Sequence, residues 1–445
     1  MESDKKENPY DNYDYGAKEP VELKIKDMTP RQKELLIDSK TFCMMPWLHL
    51  HAYPDGRAYP CCFAFDPYPV GNVNKNSMEE VFNGEKMKAL RTRMLQNKTS
   101  KECGKCYEQE KAGFFSMRMS SNKHFGHNVG LIDNTKPDGT ADFIIKYWDI
   151  RFSNLCNFAC RSCGTWFSSN WYEDHKKLTG APPKHAKIIK AGRSANDIYD
   201  QMLKQFDNIE QIYFAGGEPL LMEEHYRILK ELDKRKMYHV RLQYNTNFSK
   251  LKFKDMEVLE LWNKFDSVSV GASLDAEGKR AELMRKGTVW NDIVNNRKRM
   301  LKEAPKVDFY ISATVGLINA YHIPDFHRNW IEQGLIQPQD FHFNLLQYPI
   351  WQRMDIFPKH IKKKIEEKYN NHIKWLADKD PLTRATKGFI SAINWMNEKD
   401  MTSKTNMFWE NTKRYDNLRN ESVLEVFPEL QEFHDHYEKN KTKSR

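Results

Sequence analysis

From residue 142 onward, apolar and polar positions alternate in short runs, and each run then gives way to helical spacing. Six stretches alternate with the period of two that a pleated strand imposes. They are residues 143–152, 209–217, 239–247, 267–275, 307–316 and 340–348. Between most of them, apolar residues recur at three- and four-residue intervals, as in EEHYRILKELDKRK (223–236) and WNDIVNNRKRML (290–301). Strand–helix alternation predicts βαβ units, hence a parallel sheet with right-handed crossovers. Six such units predict a partial (β/α)6 barrel over residues 142–350.

Upstream the pattern differs. WLHLHAYPDGRAYPCC alternates around Pro54-Asp55-Gly56, which predicts a β-hairpin. SMEEVFNGEKMKALRTRMLQ opens on a serine cap and sets Met78, Val81, Phe82, Met87 and Leu90 at helical spacing. The expected organisation is therefore α/β. A polar, partly disordered lead-in (1–38) precedes a small Cys-rich α+β unit (39–125). The barrel (142–350) and a mainly helical extension (351–445) follow.

Charge and composition alter this little. The excess of 70 Lys and Arg over 61 Asp and Glu gives +9, dispersed over local clusters such as KHIKKKIEEK. Basic patches attract nucleic acid, but no zinc-finger spacing or RNP-like aromatic pattern accompanies them, so they read as solvated helix faces. No apolar run approaches the roughly 18 residues of a membrane span. The polar N-terminus lacks the apolar region of a signal peptide. A cytoplasmic protein is expected.

The cysteines carry the chemistry. All eight fall between residues 43 and 163. Without a secretory signal, such clustered spacing favours metal ligation over disulfides. NLCNFACRSCG places Cys156, Cys160 and Cys163 on the loop after the first expected barrel strand. Barrels display their reactive groups on such loops. Structural zinc wants four protein ligands, and no fourth Cys or His follows at finger spacing. Three thiolates on a [4Fe–4S] cluster leave one iron open to a ligand. In YFAGGEPLL, Gly216, Gly217, Glu218 and Pro219 end the next strand. Glycines there let backbone approach a ligand closely, and a carboxylate can accept from an ammonium.

CxxxCxxC on the loop after the first strand, followed one βα unit later by GGEP, resembles the signature of the radical S-adenosylmethionine (SAM) enzymes. The position before the third cysteine, commonly aromatic in that family, is Ser162 here. The resemblance spans about residues 142–350. It implies a radical-SAM-type barrel and a [4Fe–4S] cluster on Cys156, Cys160 and Cys163, with SAM bound to the open iron. It further implies SAM contacts at Gly216, Gly217, Glu218, Pro219, Asn245, Ser273, Asp275 and Arg285. In this reading SAM is cleaved reductively to a 5′-deoxyadenosyl radical that removes hydrogen from a substrate, with electrons from a donor such as a flavodoxin or ferredoxin.

Cys43, Gly56 and Cys61, followed by CGKC, resemble the opening of SPASM and twitch domains, accessory iron–sulfur modules of that family. Five cysteines are too few for two clusters, so one auxiliary [4Fe–4S] cluster is implied, on Cys43, Cys61, Cys103 and Cys106. Cys61 and Cys62 point to opposite faces of a strand, and the glycine spacing selects Cys61. A four-cysteine zinc site is open to the same ligands. His49 and His51 read as strand residues. This module usually follows the barrel, whereas here it precedes it. Relatives carrying it often modify peptides or proteins, so a peptide is the first substrate class expected. The alternatives are a small metabolite, sugar or nucleic acid as substrate, or a non-catalytic iron–sulfur or zinc protein.

Overall fold

The computed structural model describes residues 21–64, 66–111 and 115–443. All six expected core strands form. With the upstream hairpin they build one nine-stranded sheet. In chain order its strands are β1 (His49–Ala52), β2 (Arg57–Tyr59), β3 (Gly71–Asn72), β4 (Tyr147–Ile150), β5 (Gln211–Phe214), β6 (Arg241–Thr246), β7 (Val268–Ala272), β8 (Asp308–Val315) and β9 (Phe341–Leu345). Their spatial order is β9-β8-β7-β6-β5-β4-β1-β2-β3. The strands from β4 to β9 are parallel and lie in sequential order, as right-handed βα winding requires. Helices such as Glu223–Lys234 and Trp290–Glu303 follow them.

The Cys-rich unit is continuous with this core. β1 pairs in parallel with β4, setting His49 beside Tyr147 and Ala52 beside Ile150. β1 also pairs antiparallel with β2 across the expected turn, where Gly56 takes φ +82°. His49 and His51 behave as strand residues, their Nδ1 atoms bonding the carbonyls of Tyr147 (2.8 Å) and Asp149 (3.0 Å). The expected long helix is broken into Met78–Phe82 and α1 (Glu85–Leu95). Asn83-Gly84 interrupts it, and Ser77 caps the first piece in a capping box with Glu80. α2 (Gly104–Lys111) and α3 (Met117–Phe125) complete the unit.

Residues 1–20 of the expected lead-in lie outside the described residues. Its remainder is not a solvated tail: Leu35 and Leu36 are fully buried, each stabilising by roughly 1.5–3 kcal/mol. Downstream, α4 (Lys359–Leu376), α5 (Arg384–Glu398) and α6 (Thr405–Arg419) form the helical extension. Among the described residues no helix is long and apolar enough to cross a membrane.

The two faces of the core sheet differ. Apolar residues such as Trp148, Ile212, Phe214, Leu242, Val270 and Ile311 are buried on one face. Their alternates, including Arg151, Tyr213, Gln243 and Tyr310, line a central cavity of about 460 Å³.

Candidate functional site

The three-cysteine loop leaves the C-terminal end of β4 and is held from several sides. Ala159 and Cys160 form a two-residue antiparallel ladder with Lys286 and Arg285, so Arg285 lies directly opposite Cys160. Trp171 Nε1 donates to Cys160 O (2.8 Å) and Cys163 N donates back to Cys160 O (3.0 Å). Asn157, between the first two cysteines, donates to Ser249 Oγ (3.0 Å) and accepts from Asn247 Nδ2 (2.8 Å) at the end of β6. Burial raises all three thiols, Cys163 to about 12. Such thiols ionise when a metal takes the place of the proton.

The GGEP turn lies against this loop. Glu218 N donates to Leu155 O at 2.8 Å. Gly216 and Gly217 have φ +82° and +53°, and a Cβ on Gly217 would sit 2.4 Å from Leu155 O. Only glycine permits both the conformation and the approach. The Glu218 carboxylate is 1% exposed. It accepts from Leu220 N (3.0 Å) and Thr246 Oγ1 (2.6 Å) on one oxygen and from Asn247 N (2.6 Å) on the other. Of roughly four lone-pair sites, one thus remains for an ammonium. Burial raises the Glu218 pKa to about 7, against the lowering effect of these hydrogen bonds.

Asp275 and Arg285 form a two-pronged ion pair, Nε–Oδ2 2.7 Å and Nη2–Oδ1 2.8 Å. Nη1, the guanidinium nitrogen not committed to Asp275, lies 3.8 Å from Cys160 Sγ. Asp275 also accepts from Thr314 N (2.8 Å), and its carbonyl accepts from Asn319 Nδ2 (2.8 Å). Asn319 is thereby a buried brace between the ends of β7 and β8. Ser273 is anchored through its N–H to Thr246 O (2.8 Å), and its hydroxyl has no partner among the described residues. Asn245 lies lower on the same face, its Oδ1 against Gly271.

The second group of cysteines rings its own cavity. Cys43, Cys61, Cys103 and Cys106 all line it, with Arg118 and Met117 from α3. Cys62 does not; it lines the central cavity instead. Arg118 ties the ring together, bonding Phe42 O (3.0 Å) beside Cys43 and Glu110 on α2 (2.8 Å). Burial pushes the Cys43 thiol up to about 12 and that of Cys61 well above its ordinary value. Four thiols around a cavity fit a polynuclear cluster, in which each sulfur sits on a separate iron.

The sequence reading missed what braces the three-cysteine loop from the helical extension. Arg161, only 2% exposed, bonds Asp416 (2.6 Å) on α6 and Glu421 (2.8 Å) just beyond it. Arg419 Nη2 donates to Ala159 O (2.8 Å) and pairs with Asp174. Gln352 Nε2 donates to Arg161 O (2.8 Å). An arginine between two candidate metal ligands was the one local hint, and its carboxylate partners lie more than 250 residues away.

Residues 150–319 match the family model of the radical SAM superfamily, and residues 43–107 match the SPASM iron–sulfur cluster-binding domain. Among solved structures, the chain is similar to native anSMEcpe with bound AdoMet and Kp18Cys peptide. That match has 20% identity and a TM-score of 0.36, covering 54% of this chain and 61% of the other. Streptococcus suis SuiB bound to precursor peptide SuiA matches at 14% identity and a TM-score of 0.37, covering 67% and 62%. SuiB bound to S-adenosylmethionine matches at 13% and 0.36 over the same shares. The chain thus spans about six tenths of the length of these solved relatives. No curated protein matches. The two domains imply a [4Fe–4S] cluster with SAM and auxiliary iron–sulfur binding. The chain carries a radical SAM domain, with a SPASM iron–sulfur domain N-terminal to it.

Proposed function

We propose that this chain is a radical SAM enzyme acting on a peptide or protein in the cytoplasm, with a flavodoxin or ferredoxin as electron donor. The observation that carries the reading is the contact between its two motifs. The GGEP turn is bonded to the three-cysteine loop through Glu218 N and Leu155 O, and Arg285 faces Cys160.

Cys156, Cys160 and Cys163 would hold the SAM-binding cluster. When bound, cluster and SAM together supply the 5′-deoxyadenosyl radical that removes a hydrogen atom from substrate. The chain's part is orientation and exclusion of water. The remaining lone pair of Glu218 and the backbone of Gly216, Gly217 and Pro219 would receive the SAM ammonium. Arg285 Nη1 is the donor left for its carboxylate. Asp275 holds that guanidinium in place, while the unpartnered Ser273 hydroxyl and Asn245 are available to the nucleoside. Cys43, Cys61, Cys103 and Cys106 would hold one auxiliary cluster, serving electron transfer or the integrity of a unit with a thin core of its own. Support for a peptide comes from the SPASM domain, whose bearers often modify peptides.

The test is anaerobic reconstitution with iron, sulfide, SAM and dithionite, with 5′-deoxyadenosine measured by mass spectrometry. Formation by the wild type and loss in Cys156→Ala are expected. No 5′-deoxyadenosine from a sample with intact clusters would overturn the reading. Deuterium passing from a labelled peptide into 5′-deoxyadenosine supports the peptide class, and transfer only from a small metabolite refutes it.

A further inference from the structure

The central cavity extends toward the N-terminal ends of the strands, away from the cysteine loop, and α3 of the Cys-rich unit forms one of its walls. Closed parallel barrels fill this space with layers of Val, Ile and Leu. Here Gln211, Tyr213, Arg241, Gln243 and Tyr310 face into it. Gly271 leaves room on the same face, since a Cβ there would meet the Tyr310 ring at 2.8 Å. Its volume of about 460 Å³ falls within the range of small-ligand sites.

Some polar groups of this lining are already bonded to neighbours. Gln211 donates to Gln243 (3.0 Å), Ser269 donates to Asp308 (2.8 Å), and Arg151 pairs with Asp149 (2.9 Å). Arg241 differs. Its guanidinium has no hydrogen-bond acceptor among the described residues. The charge that acts on it is Glu210, whose carboxylate is taken by His127 (2.9 Å), Asn128 (3.2 Å) and Lys146 (3.3 Å). The fork is therefore uncommitted and open to the cavity, where a ligand can supply the acceptor.

We propose that Arg241 is the receptor for a carboxylate borne by the substrate, which enters the central cavity beneath the SAM site. This rests on the radical SAM reading above. The planar fork matches two carboxylate oxygens. The carboxylate can come from an acidic peptide side chain or from a small acid.

Cys62 makes the proposal testable without knowing the substrate. It lines the cavity and is the one cysteine of eight outside the two proposed ligand sets. In reconstituted holoprotein, Cys62 is labelled with an anionic sulfonatoethyl or a cationic trimethylammonioethyl methanethiosulfonate, and each rate is normalised to glutathione. The anionic reagent should react several-fold faster at low ionic strength. Arg151 and Arg384 line the same cavity, so Arg241→Gln should reduce that preference several-fold rather than remove it, and Arg241→Lys should keep it. Equal normalised rates in the wild type, or a preference unchanged in Arg241→Gln, overturns the proposal. Glutarate and a capped glutamyl pentapeptide then compete with labelling. Protection by glutarate alone assigns a small acid, protection by the peptide alone or by both assigns an acidic peptide, and protection by neither overturns the carboxylate class. Substrate-free 5′-deoxyadenosine formation in the same wild-type sample reports on the radical SAM reading separately.

Discussion

Replacing Arg161 by leucine isolates the contribution of the helical extension to the three-cysteine loop. The guanidinium is buried and bonds two carboxylates whose side chains are 18% (Asp416) and 14% (Glu421) exposed. Removing one partner of such a buried network typically costs 3–5 kcal/mol, because the remaining charges stay desolvated. Two contacts soften the loss here: Asp416 also accepts from Val423 N (2.9 Å), and Glu421 pairs with Lys286 (2.6 Å). The lower end, about 3 kcal/mol, is therefore expected, or roughly a hundred-fold in the opening equilibrium of the loop. Hydrogen exchange of the apo protein reads this directly at the Arg161 and Cys163 amides, which donate to Met284 O and Cys160 O. Both should exchange about two orders of magnitude faster. After reconstitution, the variant should lack about four irons per chain, with the auxiliary cluster retained. Exchange within threefold of wild type (about 0.7 kcal/mol), or equal loss of both clusters, would refute the bracing argument.

Other outcomes follow from the same geometry. Cys61→Ser should lower iron by about four per chain while Cys62→Ser keeps it; the reverse pattern in iron analysis would show that Cys62 is the ligand. Glu218 has a folded pKa near 7, above its ordinary 4.5, so the folded chain binds the extra proton and stability falls as pH rises between those values. At about 1.4 kcal/mol per unit the fall is on the order of 3 kcal/mol, and apo Glu218→Gln should lose that slope in urea titrations at stepped pH. Gly217→Ala must move a Cβ placed 2.4 Å from Leu155 O; it should abolish SAM cleavage while leaving the auxiliary cluster intact by iron analysis.

Much of this architecture is local and so was legible in the chain. The period-two runs marked all six core strands, because alternation records which side chains face helices and which face the interior. The cysteine and GGEP motifs could be read for the same reason, since spacing along a loop is a sequence property. The break at Asn83-Gly84 was less visible, as helical periodicity continues through it. What the sequence left open depended on partners distant along the chain. The SPASM domain precedes the barrel, and only the pairing of β1 with β4, residues 98 apart, shows that it joins the first core strand edge to edge. Leu35 and Leu36 sit in a polar stretch, and only the packed core shows them buried. Adjacent Cys61 and Cys62 were expected on opposite faces of a strand, but they follow β2 in a bend and a turn, and the fold decides which cavity each enters. The helical extension offered no chemistry in sequence, but Asp416 and Glu421 reach Arg161 across 255 and 260 residues. Alternation and motif spacing are carried by neighbours along the chain, whereas buried ion pairs and cavity linings are set only when distant segments pack.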